Sequence, residues 1–132
     1  MSGELDLNAL LKGLKATLVD GTFVFATVKV VPQGIHPRMV FQEAEGTTLI
    51  LLKSEADAAG IEYEFPSRMI TLDVHSSLEA VGFIAVIATE LAQAGMGVNP
   101  VAGFYHDHLF IPEDRAEDAM ALLAGLREKR AP

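Results

Sequence analysis

Residues 73–77 contain several polar side chains that could bind an anion. They join an apolar run to an apolar, helical segment. Ser76 and Glu79 have the spacing of a capping box, in which serine and glutamate cap a helix start. Unpaired backbone N–H groups and the helix dipole at such a start also favour a carboxylate. The segment therefore predicts either a capped helix or an anion site walled by His75, Ser76 and Ser77.

A second polar position, Asn99, lies on the strand predicted after this helix and faces the same edge. Pro100 follows it and removes a donor from the strand ladder, which indicates an edge strand or a bulge. Such a bulge would point backbone groups at a ligand. The alternative is that Asn99 only satisfies a turn.

His106 and His108 form the pattern His-x-His, and on a strand both rings would share a face and could reach one metal ion. A further ligand would have to come from His36 or His75. The alternative is a polar hairpin turn, which we favour, so no metal and no cofactor are expected.

Catalysis is not expected either. Ser76, His106 and Asp107 supply the side-chain types of a nucleophilic triad, but any chain of this composition contains such a set. The sequence has no Gly-x-Ser-x-Gly elbow, no phosphate-binding loop and no dinucleotide fingerprint.

Composition narrows the class of protein. The chain has 132 residues, half of them hydrophobic, and a net charge of −8, which predicts a folded, acidic domain that repels nucleic acids and anionic membranes. It has no cysteine, no secretory pattern at its beginning and no apolar run long enough to span a bilayer. We expect a soluble cytoplasmic protein.

The first half of the chain is predicted to form one helix, several strands and a short second helix. The hairpin is predicted at Glu45 and Gly46, and the short helix is predicted to be capped by Ser54 at its start and ended by Gly60. Pro66 is expected to break the chain, giving domains 1–65 and 66–132. The predicted elements are a helix over 5–15, strands over 22–31, 39–44, 47–52 and 61–65, and a helix over 55–59.

The second half is predicted to contain, in order, a strand, a helix, two strands and a helix. The predicted ranges are 68–74, 77–94, 97–104, 108–111 and 114–128, with a second capping box at Asp114 and Glu117. This order predicts the α+β class, with two ferredoxin-like halves and helices on one face of antiparallel sheets. The second half has no final strand, so we expect one from the first half or from another chain. The first half has a loop over 32–37 where its first helix would stand, and the N-terminal helix or a partner could cover that gap.

The stretch LEAVGFIAVIATELAQAGMGVNPVAGFYHDHLFIPEDRAEDAMALLAGL resembles an ACT domain of the aspartokinase type. The stretches FQEAEGTTLIL and SEADAAG are similar to the first half of small bacterial proteins with two ACT domains, so the first half is identified as a degenerate ACT-like copy. The resemblance implies regulation rather than catalysis. It also implies that an amino acid binds between paired domains, in a pocket walled by Ser76, Ser77, Asn99 and Val101.

These expectations combine into one prediction. The chain is a homodimeric sensor that binds an amino acid or another carboxylate-bearing metabolite and has no catalytic activity of its own. The alternative is a ligand-free docking module for a separate enzyme or transporter. A polar concavity with unused N–H groups around Ser76, Ser77 and Asn99 would favour the sensor, and a filled apolar seam would favour the docking module.

Overall fold

A computed structural model describes residues 3–129, which divide into two compact units. The central unit is Asp20–Ser67, and the split unit combines the chain up to Val19 with the chain from Arg68 onwards. The elements are α1 (Leu7–Lys12), β1 (Ala16–Leu18), β2 (Phe23–Val28), β3 (Met39–Gln42), β4 (Thr47–Leu52), α2 (Lys53–Ala59), β5 (Glu64–Leu72), α3 (Phe83–Gln93), β6 (Asn99–Ala102), β7 (Asp107–Pro112), a 3-10 turn (Glu113–Arg115) and α4 (Ala116–Glu128).

The central unit is an antiparallel sheet in the order β3-β4-β2-β5, with α2 packed against β2 and β4. The predicted hairpin between β3 and β4 is confirmed, and the N–H of Glu43 donates to the carbonyl of Gly46. The strand order is ferredoxin-like, with a loop in place of the first helix. Its small apolar cluster is Val24, Ala26, Leu49, Leu51 and Ala56.

The predicted break at Pro66 is wrong, because β5 runs without interruption from Glu64 to Leu72. Phe23 pairs with Ser67 and Phe25 pairs with Glu64, so β5 carries one extra residue opposite β2. That extra residue forms a β-bulge in which Phe65 has a φ of 57°. A bulge is one of the few places where a sheet accepts proline, since the missing N–H costs no ladder bond there.

The split unit contains the larger core. β1 pairs antiparallel with the second part of β5, β5 neighbours β7, and β7 pairs antiparallel with β6. β1 thus takes the place of the missing final strand, which confirms that a strand from the first half completes the second sheet. Whether residues 1–65 and 66–132 act as separate domains stays a prediction.

Helix α1 packs in the split unit, where its buried Leu10 and Leu11, with Leu14 just beyond, join the core formed by α3 and α4. The expectation that it covers the gap in the first sheet is therefore wrong. The leucines on one face of α1 explain why it packs here, because Ile87, Leu91 and Leu123 form an apolar core that buries these leucines completely. No helix within residues 3–129 is long and apolar enough to cross a membrane.

Helix α3 begins at Phe83, six residues after the predicted start. The Ser77 hydroxyl oxygen accepts the N–H of Glu79, and the Ser77 carbonyl accepts the N–H of Ala80, so this segment forms a turn. The predicted capping box of Ser76 and Glu79 is therefore wrong. Gly82, with a φ of 90°, reverses the chain immediately before the helix.

The other two predicted caps are also wrong. Ser54 lies inside α2, which begins at Lys53, and Asp114 lies in the 3-10 turn before α4. Neither helix has a side-chain cap. Gly60 does end α2, in the left-handed conformation expected after a last turn.

Candidate functional site

A concavity of about 240 Å³ lies in the split unit, where the loop between β5 and α3 meets the turn between β6 and β7. We call it the Ser76 concavity. Its lining is Ser76, Ser77, Leu78, Ala80, Gly82, Phe83, Ile84, Ala85, Ala102, Gly103 and Asp107.

Two buried serines form its wall. Ser76 is 8% exposed and its hydroxyl donates to Oδ2 of Asp107 at 3.1 Å. Ser77 is 4% exposed, and its N–H donates to the carbonyl of Glu4. The N–H of Ser76 donates to the carbonyl of Val74. The backbone donors expected at these two serines are therefore already used inside the fold.

Backbone donors of the concavity come from α3 instead. Phe83, Ile84 and Ala85 form its first turn and line the cavity. Their N–H groups have no partner within the helix, since the first helical bond runs from Val86 to Gly82. Gly82 supplies no capping side chain. These donors were not predicted from the sequence, although Gly82 inside an apolar run was a visible signal.

The N-terminal segment holds the serine loop in place. The N–H of Glu4 donates to the carbonyl of His75 at 2.8 Å, and the carbonyl of Glu4 accepts the N–H of Ser77 at 2.9 Å. Gly3 lies so close that an added Cβ would be 2.6 Å from the nitrogen of Ser77. Residues 3–5, which we call the N-terminal strap, therefore fix the wall of the concavity.

The remaining predicted ligand residues lie outside this lining. Asn99 is exposed at the far end of β6 from Ala102, and it pairs with Phe110. Val101 is half-buried on the same strand. His75 is half-buried, with its ring 5.4 Å from that of Tyr105. The structure thus brings Ser76 and Ser77 together with Asp107 rather than with Asn99, and Pro100 lies on an edge strand.

The two histidines of the His-x-His pattern differ in their surroundings. His106 lies in the turn before β7, while Nδ1 of His108 is 3.0 Å from the hydroxyl of Thr71. Their ring centroids are 6.5 Å apart. Across residues 3–129, no three His, Cys, Asp or Glu side chains come together in a way that could hold a metal ion. In a nucleophilic triad the base stands between hydroxyl and carboxylate, whereas Ser76 donates directly to Asp107.

Comparison with known families decides the class of protein. One ACT domain model matches residues 2–68 and a second matches residues 64–125. The chain belongs to the ACT domain family. ACT domains are typically small-molecule-binding regulatory modules, and the Ser76 concavity lies within the second match.

Solved structures share the arrangement of this ACT protein. A Vibrio cholerae protein of unknown function, described as a possible transport protein, is 39% identical, with 92% of this chain and 95% of that chain covered and a TM-score of 0.84. An Agrobacterium tumefaciens protein is 16% identical over 86% of this chain and 89% of its own, with a TM-score of 0.74.

The ligand-free regulatory subunit of aspartate kinase from Thermus thermophilus is 14% identical over 84% of this chain and 95% of its own, with a TM-score of 0.65. This likeness is one of fold, and it is to a regulatory subunit rather than to a catalytic one. A comparison with curated proteins finds no match.

Proposed function

We propose that this ACT protein is a regulatory sensor whose Ser76 concavity binds an α-amino acid or a similar carboxylate-bearing metabolite. The observation that carries the proposal is that one cavity contains groups that favour a negative charge and a group that favours a positive charge. The N–H groups of Phe83, Ile84 and Ala85 favour a carboxylate, and the carboxylate of Asp107 favours an ammonium group. A free amino acid carries both groups on one carbon.

The predicted residues take two parts in this proposal. Ser76 and Ser77 shape the wall, and the Ser76 hydroxyl orients Asp107. His75, Asn99 and Val101 lie outside the lining, so in this proposal they would contact only a ligand that extends beyond the cavity. Asp107 and the first turn of α3 were not predicted as ligand contacts, and the proposal includes them because they line the cavity.

Regulation requires two states to which the ligand binds with different affinity. We propose that these states are two arrangements of a homodimer. Exposed apolar side chains near the concavity support an interface there, since Leu78, Val81, Phe104 and Tyr105 are each more than 60% exposed. The protein would act on a separate target, without catalysis, and its expected location is the cytoplasm.

A thermal-shift screen of the twenty amino acids tests the proposal. We expect one or a few of them to raise the melting temperature, and Asp107→Asn to abolish the rise because it removes the partner of the ammonium group. Asp114→Asn, on the exposed 3-10 turn, is the matched control and should respond like the parent protein. Asn99→Ala tests the outer contact and should weaken the response.

The docking alternative keeps one observation in its favour, namely the same exposed apolar side chains, which a partner protein could cover. The description of the Vibrio cholerae protein as a possible transport protein is compatible with a transporter as that partner. An empty amino-acid screen, or a response that Asp107→Asn leaves unchanged, would overturn the sensor and leave the docking module.

A further inference from the structure

A second and larger cavity, of about 580 Å³, lies in the split unit between the C-terminal ends of α1 and α4. We call it the α1–α4 groove. Its lining shares no residue with the Ser76 concavity, and consists of Lys12, Leu14, Lys15, Ala16, Met120, Leu123, Ala124, Arg127 and Glu128.

The charge of the groove is opposite to that of the protein. The chain has 10 lysines and arginines against 18 acidic residues. Three of those cations line the groove, which are Lys12, Lys15 and Arg127, together with one acid, Glu128. A positive patch on a protein of net charge −8 attracts anions locally, while the rest of the surface repels them.

In the described part of the chain, the side chains of these three cations have no partner. Most cations of the described chain are engaged: Lys53 pairs with Asp57, Arg115 with Asp118 and Lys129 with Glu90, Arg68 donates to the carbonyl of Val19, and Arg38 lies over the ring of Phe23. Within residues 3–129, the side chains of Lys12, Lys15, Lys29 and Arg127 have no hydrogen bond, ion pair or ring contact.

Helix electrostatics explain two of these cations at most. Lys12 and Arg127 lie in the last turns of α1 and α4, where a positive charge offsets the exposed carbonyl groups. Lys15 lies beyond the end of α1 and receives no such explanation. Helix ends therefore account for two of the three cations, and Lys15 adds a positive charge at the cavity that no contact in the described chain uses.

The floor of the groove is apolar. Leu14 and Leu123 are buried beneath it, and Ala16, Met120 and Ala124 complete it. An apolar floor with a few charged groups at the rim is typical of sites for small organic ligands. We propose that the α1–α4 groove binds a small amphipathic carboxylate, whose apolar body rests on the floor and whose carboxylate faces Lys12, Lys15 and Arg127.

A nitrogen-15 NMR titration with sodium octanoate, at constant ionic strength, tests this proposal on the full chain. We expect saturable shifts in the amides of residues 12–16 and 123–128. The variant Lys12→Gln/Lys15→Gln/Arg127→Gln should weaken the affinity by about tenfold, since each exposed charge contributes modestly. Lys29→Gln removes the fourth unpaired cation, outside the groove, and should leave the affinity unchanged.

Two further ligands test separately whether the charge and the apolar body of octanoate are needed. Octan-1-ol lacks the charge and acetate lacks the apolar body, so both should bind more weakly than octanoate. Absence of saturable shifts, equal binding of octan-1-ol, or an unchanged affinity in the triple variant would overturn the proposal. Circular dichroism checks that the triple variant folds. If it does not, Lys15→Gln alone should still weaken octanoate binding by about twofold.

Discussion

The hydroxyl of Ser76 and the carboxylate of Asp107 form a hydrogen bond of 3.1 Å that joins the β5–α3 loop to the first residue of β7. The donor is buried and the acceptor is half-buried. This bond orients the carboxylate that we propose as the partner of a ligand ammonium group. The bond therefore joins two elements of the split unit and, in the proposed function, also positions a ligand-binding group.

A double-mutant cycle measures that contact. Ser76→Ala should lower the free energy of unfolding by about 1–2 kcal/mol, because the bond involves a charged acceptor. Once Asp107→Ala is present, the same serine change should cost much less. Urea unfolding of the four proteins gives the coupling energy. Strictly additive losses would mean that the two side chains do not stabilise each other.

The left-handed backbone of Gly82 yields a second prediction. Gly82→Ala places a side chain at a φ of 90° and should cost about 1–2 kcal/mol of unfolding free energy. It should also reduce any amino-acid response, since the first turn of α3 supplies the donors. Gly97→Ala is the matched control, because an added Cβ meets open space there and φ is not positive. Equal effects of both changes would contradict the role of Gly82.

The N-terminal strap provides a third prediction. Gly3→Ala would place a Cβ 2.6 Å from the Ser77 nitrogen, so the strap must move and its two backbone bonds must weaken. Amide hydrogen exchange at Ser77 should then become faster. Glu4→Ala keeps those backbone bonds and should leave the exchange rate unchanged. A Ser77 amide that exchanges equally slowly in both variants would show that the strap does not hold the loop.

A fourth prediction concerns pH and the central unit. The hydrogen bond from Lys53, with a smaller contribution from Tyr63, lowers the pKa of Asp57 below its ordinary value. A lowered carboxyl pKa stabilises the fold above the unfolded-state pKa, and this stability is lost as the pH falls through the folded-state pKa. The effect should be small, because the pair is exposed.

An NMR titration of the Asp57 carboxyl group measures that shift. In Lys53→Met the pKa of Asp57 should rise towards the ordinary value, since the main cause of the shift is gone. Lys29→Met removes a cation that has no partner in the described chain and serves as the control. A pKa that does not respond to Lys53→Met would exclude the pair as the cause.

A fifth prediction concerns which segments of the chain the split unit needs in order to fold. The N–H of Val19 donates to the carbonyl of Met69 at 2.9 Å, so these two residues face each other across β1 and β5. Replacing residues 20–68 with Asn-Gly should close them by a hairpin turn and leave a protein that unfolds cooperatively. The fragment 66–132 lacks Leu10, Leu11 and Leu14 and should not. Cooperative unfolding of that fragment would contradict the role of the N-terminal segment.

Local patterns predicted most of the elements correctly. The β3–β4 hairpin, the end of α2 at Gly60 and the course of α4 depend on turn residues and on periodicities within a few positions. The ACT resemblance, carried by the order of elements in the second half, is confirmed by the two family matches. These features were accessible because neighbouring residues determine them.

The errors arose where distant parts of the chain decide the outcome. Pro66 fits inside β5 because β2 pairs across a bulge, and Ser77 forms a turn in a loop held by Glu4. Ser76 and Ser77 were predicted as ligand contacts and line a concavity, but their N–H groups donate to backbone carbonyls that no spacing rule indicates. The donors of the first turn of α3 followed only from its later start at Phe83.

The placement of α1 and β1 in the split unit has a consequence for synthesis on the ribosome. These elements are translated before the central unit, yet the strand and helices that they contact are translated only after residue 67. At about 5–20 residues per second, the Leu10 and Leu11 face waits several seconds, while the central unit already has all its strands. In the nascent protein, α1 is thus made before α2, α3 and α4 but finds its partners only when α3 and α4 follow, and a holding chaperone would bind its leucines in that interval.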